Sequence, residues 1–230
     1  MANVAINLQP LVRGTGLRSD VVTQVVAAVF EGRIKAGDRL VVQKLAQQLG
    51  VSATPVREAL VELETTGIVD LLPNRGAVCR PFGPQQLREI YQIRRILEAE
   101  ATHASCGRIP DDELERVRDE SRQLLEASDD APGWSDSAMA LDQQLHNLVS
   151  LHSGSDRLGH ELARYATLMH AVRQYVHNRL NVQRRAIEDH LEILDALIER
   201  DADKAAAAMS KHIRNTANHV VQLMFPSPTT

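Results

Sequence analysis

Apolar residues at Val22, Val25, Val26, Val29 and Phe30 follow the i, i+3, i+4, i+7 spacing of one helix face. Ser19 is a suitable N-cap for that helix, and Gly32 its stop. Lys35–Asp38 reads as a turn. A short second helix is expected from about Gln43 to Leu49, ending at Gly50. Ser52 is placed to cap a third, in which Pro55 falls in the tolerated first turn and Leu60 and Leu63 point to a core before Gly67. The periodicity then shortens. Ile68–Leu72 and Ala77–Arg80 are β-rich runs around Pro73-Asn74-Arg75-Gly76, a hairpin signal. Three helices, with a tight turn between the second and third, followed by a hairpin, spell a winged helix-turn-helix over residues 18–81, behind a loose arm at 1–17.

Pro81-Phe82-Gly83-Pro84 interrupts both periodicities and marks a domain boundary. Beyond it the pattern is helical throughout. Six helices are expected near 84–106, 110–128, 134–152, 156–179, 182–200 and 202–224, with a disordered tail at 225–230. The short connections favour antiparallel neighbours. The fold class is therefore mainly α: a winged helix-turn-helix followed by an antiparallel six-helix bundle.

Composition supports this. Aromatics make up 3% of the 230 residues and hydrophobics 43%, so the cores rest on aliphatic side chains. No apolar run approaches the roughly 18 residues of a membrane span, and the first residues lack a signal-peptide pattern. Cys79 and Cys106 are isolated. A cytoplasmic location with no membrane partner is expected. The net charge of −4 divides unevenly, with +2 on residues 1–81 and −6 on the remainder. That asymmetry fits an N-terminal part that meets phosphate.

Gly50-Val51-Ser52-Ala53-Thr54-Pro55-Val56-Arg57-Glu58-Ala59-Leu60 puts short polar donors and a long bidentate one at the start of a helix. A recognition helix needs that layout in the major groove, though a capped surface helix shares it. Residues 37–81 resemble the N-terminal domain of the GntR family of transcription regulators. The matching residues are Gly37-Asp38-Arg39-Leu40, Leu45-Ala46, Val51-Ser52, Thr54 through Leu60, Leu63-Glu64, Gly67 and Asn74-Arg75-Gly76. The resemblance implies DNA contacts by Ser52, Thr54 and Arg57, with Gly76 at the wing tip near the minor groove and Gln43 as a further contact. Ala53 stands where the family usually has Arg, and Val42 is a poor cap.

In the C-terminal part, polar groups interrupt apolar stripes. Arg94 falls among Leu87, Ile90, Leu97 and Ala101, with Glu98 one turn away as a ready ion-pair partner. Asp142 and His146 accompany Ala138, Leu141, Leu145 and Val149. His190 lies among Ile187, Leu191 and Leu194, and His212 among Ala205, Ala208, Met209, Ile213 and Leu223. Satisfied core histidines would account for each alone. A shared divalent ion would account for all four together, since three imidazoles and one carboxylate suit Zn²⁺, Ni²⁺, Fe²⁺ or Mn²⁺. His170 and His177, with Arg173 between them, form a further polar face.

Residues 84–218 resemble the FadR-type ligand-binding domain, FCD. The resemblance rests on Ile93-Arg94-Arg95-Ile96-Leu97-Glu98, Leu141-Asp142-Gln143-Gln144-Leu145-His146, His190 through Leu197, and Asp203 through Met209 to His212. Six helices suggest its VanR-like branch, and Ser155 departs from the Asn often found there. The resemblance implies a metal, foremost Zn²⁺, on Asp142, His146, His190 and His212. It also implies an organic-acid effector paired with Arg94. Because one small winged helix gives limited affinity, a homodimer on a pseudo-palindromic double-stranded operator is expected. The expected function is a regulator, foremost a repressor. A metalloenzyme would explain only the His/Asp cluster, and a pure dimerisation scaffold would need no effector.

Overall fold

The computed structural model describes residues 8, 17–73, 75–128, 131–175 and 180–225. The arm at 1–17 (apart from Leu8 and Leu17), Asn74 of the expected turn, His177 and the tail beyond Phe225 lie outside the described residues. The chain divides into two compact units, Met1–Gln86 with Arg164–Tyr175, and Leu87–Ala163 with Val176–Thr230.

The first unit begins with α1 (Leu17–Phe30), which starts before Ser19, so Ser19 lies inside the helix rather than at its cap. Its buried face is Val21, Val22, Val25, Val26 and Ala28, while Val29 and Phe30 are half-buried. A two-residue strand, β1 (Arg39–Leu40), follows. It leads into α2 (Val42–Leu49) and α3 (Ala53–Thr65). The cap position of α2 is Val41; Val42 is its buried first residue. Gly50 ends α2 at φ +69°, where its amide reaches back to the Ala46 and Gln47 carbonyls. That left-handed residue turns the chain sharply enough to start α3 three residues later.

The hairpin is β2 (Val69–Leu72) with β3 (Gly76–Cys79), antiparallel, with Leu72 opposite Gly76. β1 pairs with the other edge of β3, completing a three-stranded sheet of order β1-β3-β2. The sequence pattern does not announce β1, because two residues are too few to alternate. Phe30, Phe82 and Tyr175 gather in this unit, with Phe30 5.6 Å from Phe82 and 5.5 Å from Tyr175 between ring centroids. Residues 164–175 group with the head, whereas the sequence pattern places everything after Pro84 in the helical domain.

The helices of the remainder are α4 (Pro84–Ser105), α5 (Asp111–Glu126), α6 (Trp134–His152), α7 (Asp156–Tyr175), α8 (Leu180–Ile198) and α9 (Ala202–Met224). Pro84 opens α4, where its missing N–H costs nothing. Asp201 caps α9 by accepting from the Lys204 amide at 2.9 Å. Within the second unit α8 is central, packed on α5, α6 and α9. Trp134 seals one end with Ala138 and Ile187, and its Nε1 donates to the Leu124 carbonyl at 2.8 Å. Among the described residues, no helix is long and apolar enough to cross a membrane.

Candidate functional site

In the first unit, α3 presents Ser52, Thr54 and Arg57 outward while Val56, Ala59, Leu60 and Leu63 face the core. Ser52 occupies the N-cap position in extended conformation, but its hydroxyl makes no capping hydrogen bond. Gln43, Arg57, Arg75 and Gly76 line one groove of about 530 Å³, whose floor includes Leu60 and Leu72. Three expected contacts thus share a groove between helices and wing, whereas Ser52 and Thr54 stand exposed at the helix start. Gly76 has a packing reason of its own. At φ +88°, a Cβ there would lie 2.0 Å from the Leu40 carbonyl oxygen.

In the second unit, α6, α8 and α9 bring Asp142, His146, His190 and His212 together, one ligand atom from each lying within 4.8 Å of all the others. The Nε2 atoms of His190 and His212 are 3.2 Å apart. Asp142 Oδ1 is 3.5 Å from His190 Nε2 and 3.6 Å from His146 Nε2. A tetrahedral ion with bonds of about 2.0–2.1 Å would hold neighbouring donors about 3.3 Å apart, so the donor set fits a divalent transition metal. Two ring nitrogens at 3.2 Å need a proton or cation between them.

At His190 and His212 the electrostatics agree with that fit. Burial pushes the His190 imidazole well below its usual range, and the neighbouring His212 adds to the effect. His212 is lowered by burial too, against the pull of Asp189, whose Oδ2 lies 3.6 Å from Nδ1. Both therefore sit as neutral imidazoles, the form that binds metal. Burial also opposes charging His146, but Glu98 and Asp142 outweigh it and raise the group to about 9.

Arg94 and Glu98 are both buried on α4, and Arg94 Nη2 donates to Glu98 Oε1. Glu98 Oε2 meets His146 Nδ1. Burial works against ionising Glu98, yet Arg94 and His146 hold its carboxyl down at about 2. The stripe on α4 also differs from the expectation: Leu97 is half-buried, and Glu98 takes the inward position beside it. Glu98 and Asp189 are the site residues whose place the sequence did not indicate. Glu98 showed only as a partner for Arg94, and Asp189 precedes His190 with no pattern to set it apart. His170 sits elsewhere, half-buried in the first unit, where burial and Arg173 lower it.

A winged helix-turn-helix followed along the chain by a helical unit with a buried His/Asp cluster defines a DNA-binding transcription regulator. The model of the FCD domain matches residues 89–215, and that of the bacterial regulatory proteins of the gntR family matches residues 17–78. The chain belongs to the gntR family of regulators, in the group that carries an FCD domain. It is 29% identical to the Nta operon transcriptional regulator of Aminobacter aminovorans, over 83% of this chain and 88% of that protein. It is 23% identical to the HTH-type transcriptional repressor RspR of Escherichia coli (strain K12), over 90% and 86% respectively. The structure of E. coli McbR/YncC shares the fold, with a TM-score of 0.64 at 22% identity over 93% of this chain and 99% of that one. The relatives are named as regulators, not enzymes.

Proposed function

We propose that the protein is a cytoplasmic repressor of the VanR-like branch, released from a pseudo-palindromic operator when a small organic acid reaches a metal site in its C-terminal unit. The observation that carries the reading is the partly buried meeting of Asp142, His146, His190 and His212 in a chain whose other unit is a DNA-binding head. A divalent ion bound there, Zn²⁺ foremost, would offer coordination positions to a carboxylate. Arg94 would meet that carboxylate through donors not committed to Glu98, since a guanidinium has five.

Two copies of the head, reading half-sites about a dyad, would supply affinity that one small winged helix lacks. Gln43, Ser52, Thr54 and Arg57 are assigned to the major groove and Gly76 to the wing approach. Effector binding would act by favouring one arrangement of the dimer over another.

The test joins elemental analysis to DNA binding. Protein purified without chelators or nickel affinity should carry close to one ion per chain, lost in Asp142→Ala and His212→Ala. Operator fragments selected from random DNA by the wild type should then be released by a carboxylate in the metal-loaded wild type and held by both variants. A metal-free wild type, or carboxylate release that persists in both variants, overturns the reading.

A further inference from the structure

Glu98 lies on α4, outside the three helices that supply the cluster, yet its carboxylate is only 3% exposed and spans Arg94 and His146. One oxygen accepts from Arg94 Nη2 and the other faces His146 Nδ1. An ionised carboxylate can only accept hydrogen bonds, so the Nδ1 that meets it must carry the proton. In the neutral form that binds metal, this fixes the tautomer of the ring: Nδ1–H toward Glu98, with the Nε2 lone pair turned to the opposite side. On that side stand Asp142 Oδ1, at 3.6 Å, and the His190 and His212 rings. We propose that Glu98 is a positioning residue of the metal centre, clamped by Arg94 and holding the His146 ring so that Nε2 serves as a ligand. The inference rests on the metal reading above and deepens it, because it ties α4, which bears the assigned effector arginine, to the inner ligands.

The geometry explains why two charged residues are buried one turn apart on a helix face that also buries Leu87, Ile90, Tyr91 and Ala101. A buried ion pair gains little stability over an apolar pair, so stability alone does not account for it. Orienting a ligand does, since a histidine ligand's far nitrogen ordinarily needs an acceptor to hold the ring.

The experiment measures Zn²⁺ affinity by competition with a chromogenic chelator, with no organic acid present, for wild type, Glu98→Gln, and the double variant Arg94→Met/Glu98→Gln. Glu98→Gln should lose roughly 10- to 100-fold in affinity, the range for removing such a partner. The visible ligand-field bands of its Co²⁺ form should also shift, which a purely structural role for Glu98 would not produce. The double variant removes both buried charges, so it guards against misfolding and against repulsion by an orphaned guanidinium. It should lose affinity to the same extent as Glu98→Gln. Recovery of wild-type affinity in the double variant would overturn the proposal, because the loss would then belong to the unpaired Arg94. So would a Glu98→Gln affinity within threefold of wild type. A wild type that binds no Zn²⁺ would instead remove the metal reading itself and this inference with it.

Discussion

A methyl group on residue 76 would overlap the Leu40 carbonyl oxygen at 2.0 Å, in a backbone conformation at φ +88° that side chains other than hydrogen rarely adopt. The left-handed conformation alone costs on the order of 1–3 kcal/mol, and the overlap forces β1 away from β3 as well. Gly76→Ala should therefore lower the stability of the head by at least about 2 kcal/mol in urea unfolding followed by circular dichroism. A smaller change would mean that β1 yields freely and that Gly76 is there for DNA alone. At the far end of β3, Cys79 is buried. Burial first, and Asp38 second, push the Cys79 thiol up to about 11. Its thiolate fraction should lie below that of a thiol with the ordinary value of 9.0 by about 100-fold at pH 7 and about 50-fold at pH 9. A thiol reagent at pH 9 should modify half-exposed Cys106 well before Cys79. Equal rates would show that the wing opens in the native state.

Helix α3 carries its two functions on two faces, and only one is structural. Val56, Ala59, Leu60 and Leu63 hold it in the head, while Arg57 is exposed. Arg57→Ala should thus leave the circular dichroism spectrum and melting temperature unchanged. It should weaken binding to a selected operator by about 1–3 kcal/mol, roughly 5- to 150-fold, in fluorescence anisotropy at fixed salt. A variant that melts early would place Arg57 in the fold rather than at the interface. The contrast between faces also explains what the sequence reveals. Helices of nineteen or more residues, such as α6 and α9, repeat their apolar stripe four or five times, so their bounds and their inward Asp142, His146 and His212 are legible. β1 holds two residues and has no period. Ser19 has the chemistry of a cap, but caps depend on where a helix begins, and α1 already includes Leu17 and Arg18. Glu98 was legible as a neighbour of Arg94 on the same helix. Its second partner, His146, lies on another helix, and only the packing of α4 beside α6 makes the carboxylate a bridge. Asp189 is the same case, since its contact with His212 joins α8 to α9.

The molecule carries one tryptophan, and its position makes the C-terminal unit separately observable. Trp134 is buried against Ala138 and Ile187. Ala138 lies one turn before Asp142 on α6, and Ile187 three residues before His190 on α8, so the indole rests on two of the helices that bear the cluster. An ion held by Asp142, His146, His190 and His212 ties α6, α8 and α9 to one point, and it binds the folded form in preference to the unfolded chain. Free metal at 100 times its dissociation constant then adds about 2.7 kcal/mol to the stability of that unit. Chemical denaturation followed by Trp134 fluorescence should accordingly move to higher denaturant when Zn²⁺ is added to metal-stripped protein, and return with a chelator. His212→Ala should abolish the shift, although His212 lies three helices along the chain from the tryptophan. Arg57→Ala, in the head, should keep it in full. If zinc moved the Trp134 transition equally in the wild type and in His212→Ala, the ion would be acting elsewhere on the chain. The four side chains would then be a polar core whose close ring nitrogens share protons instead of a metal.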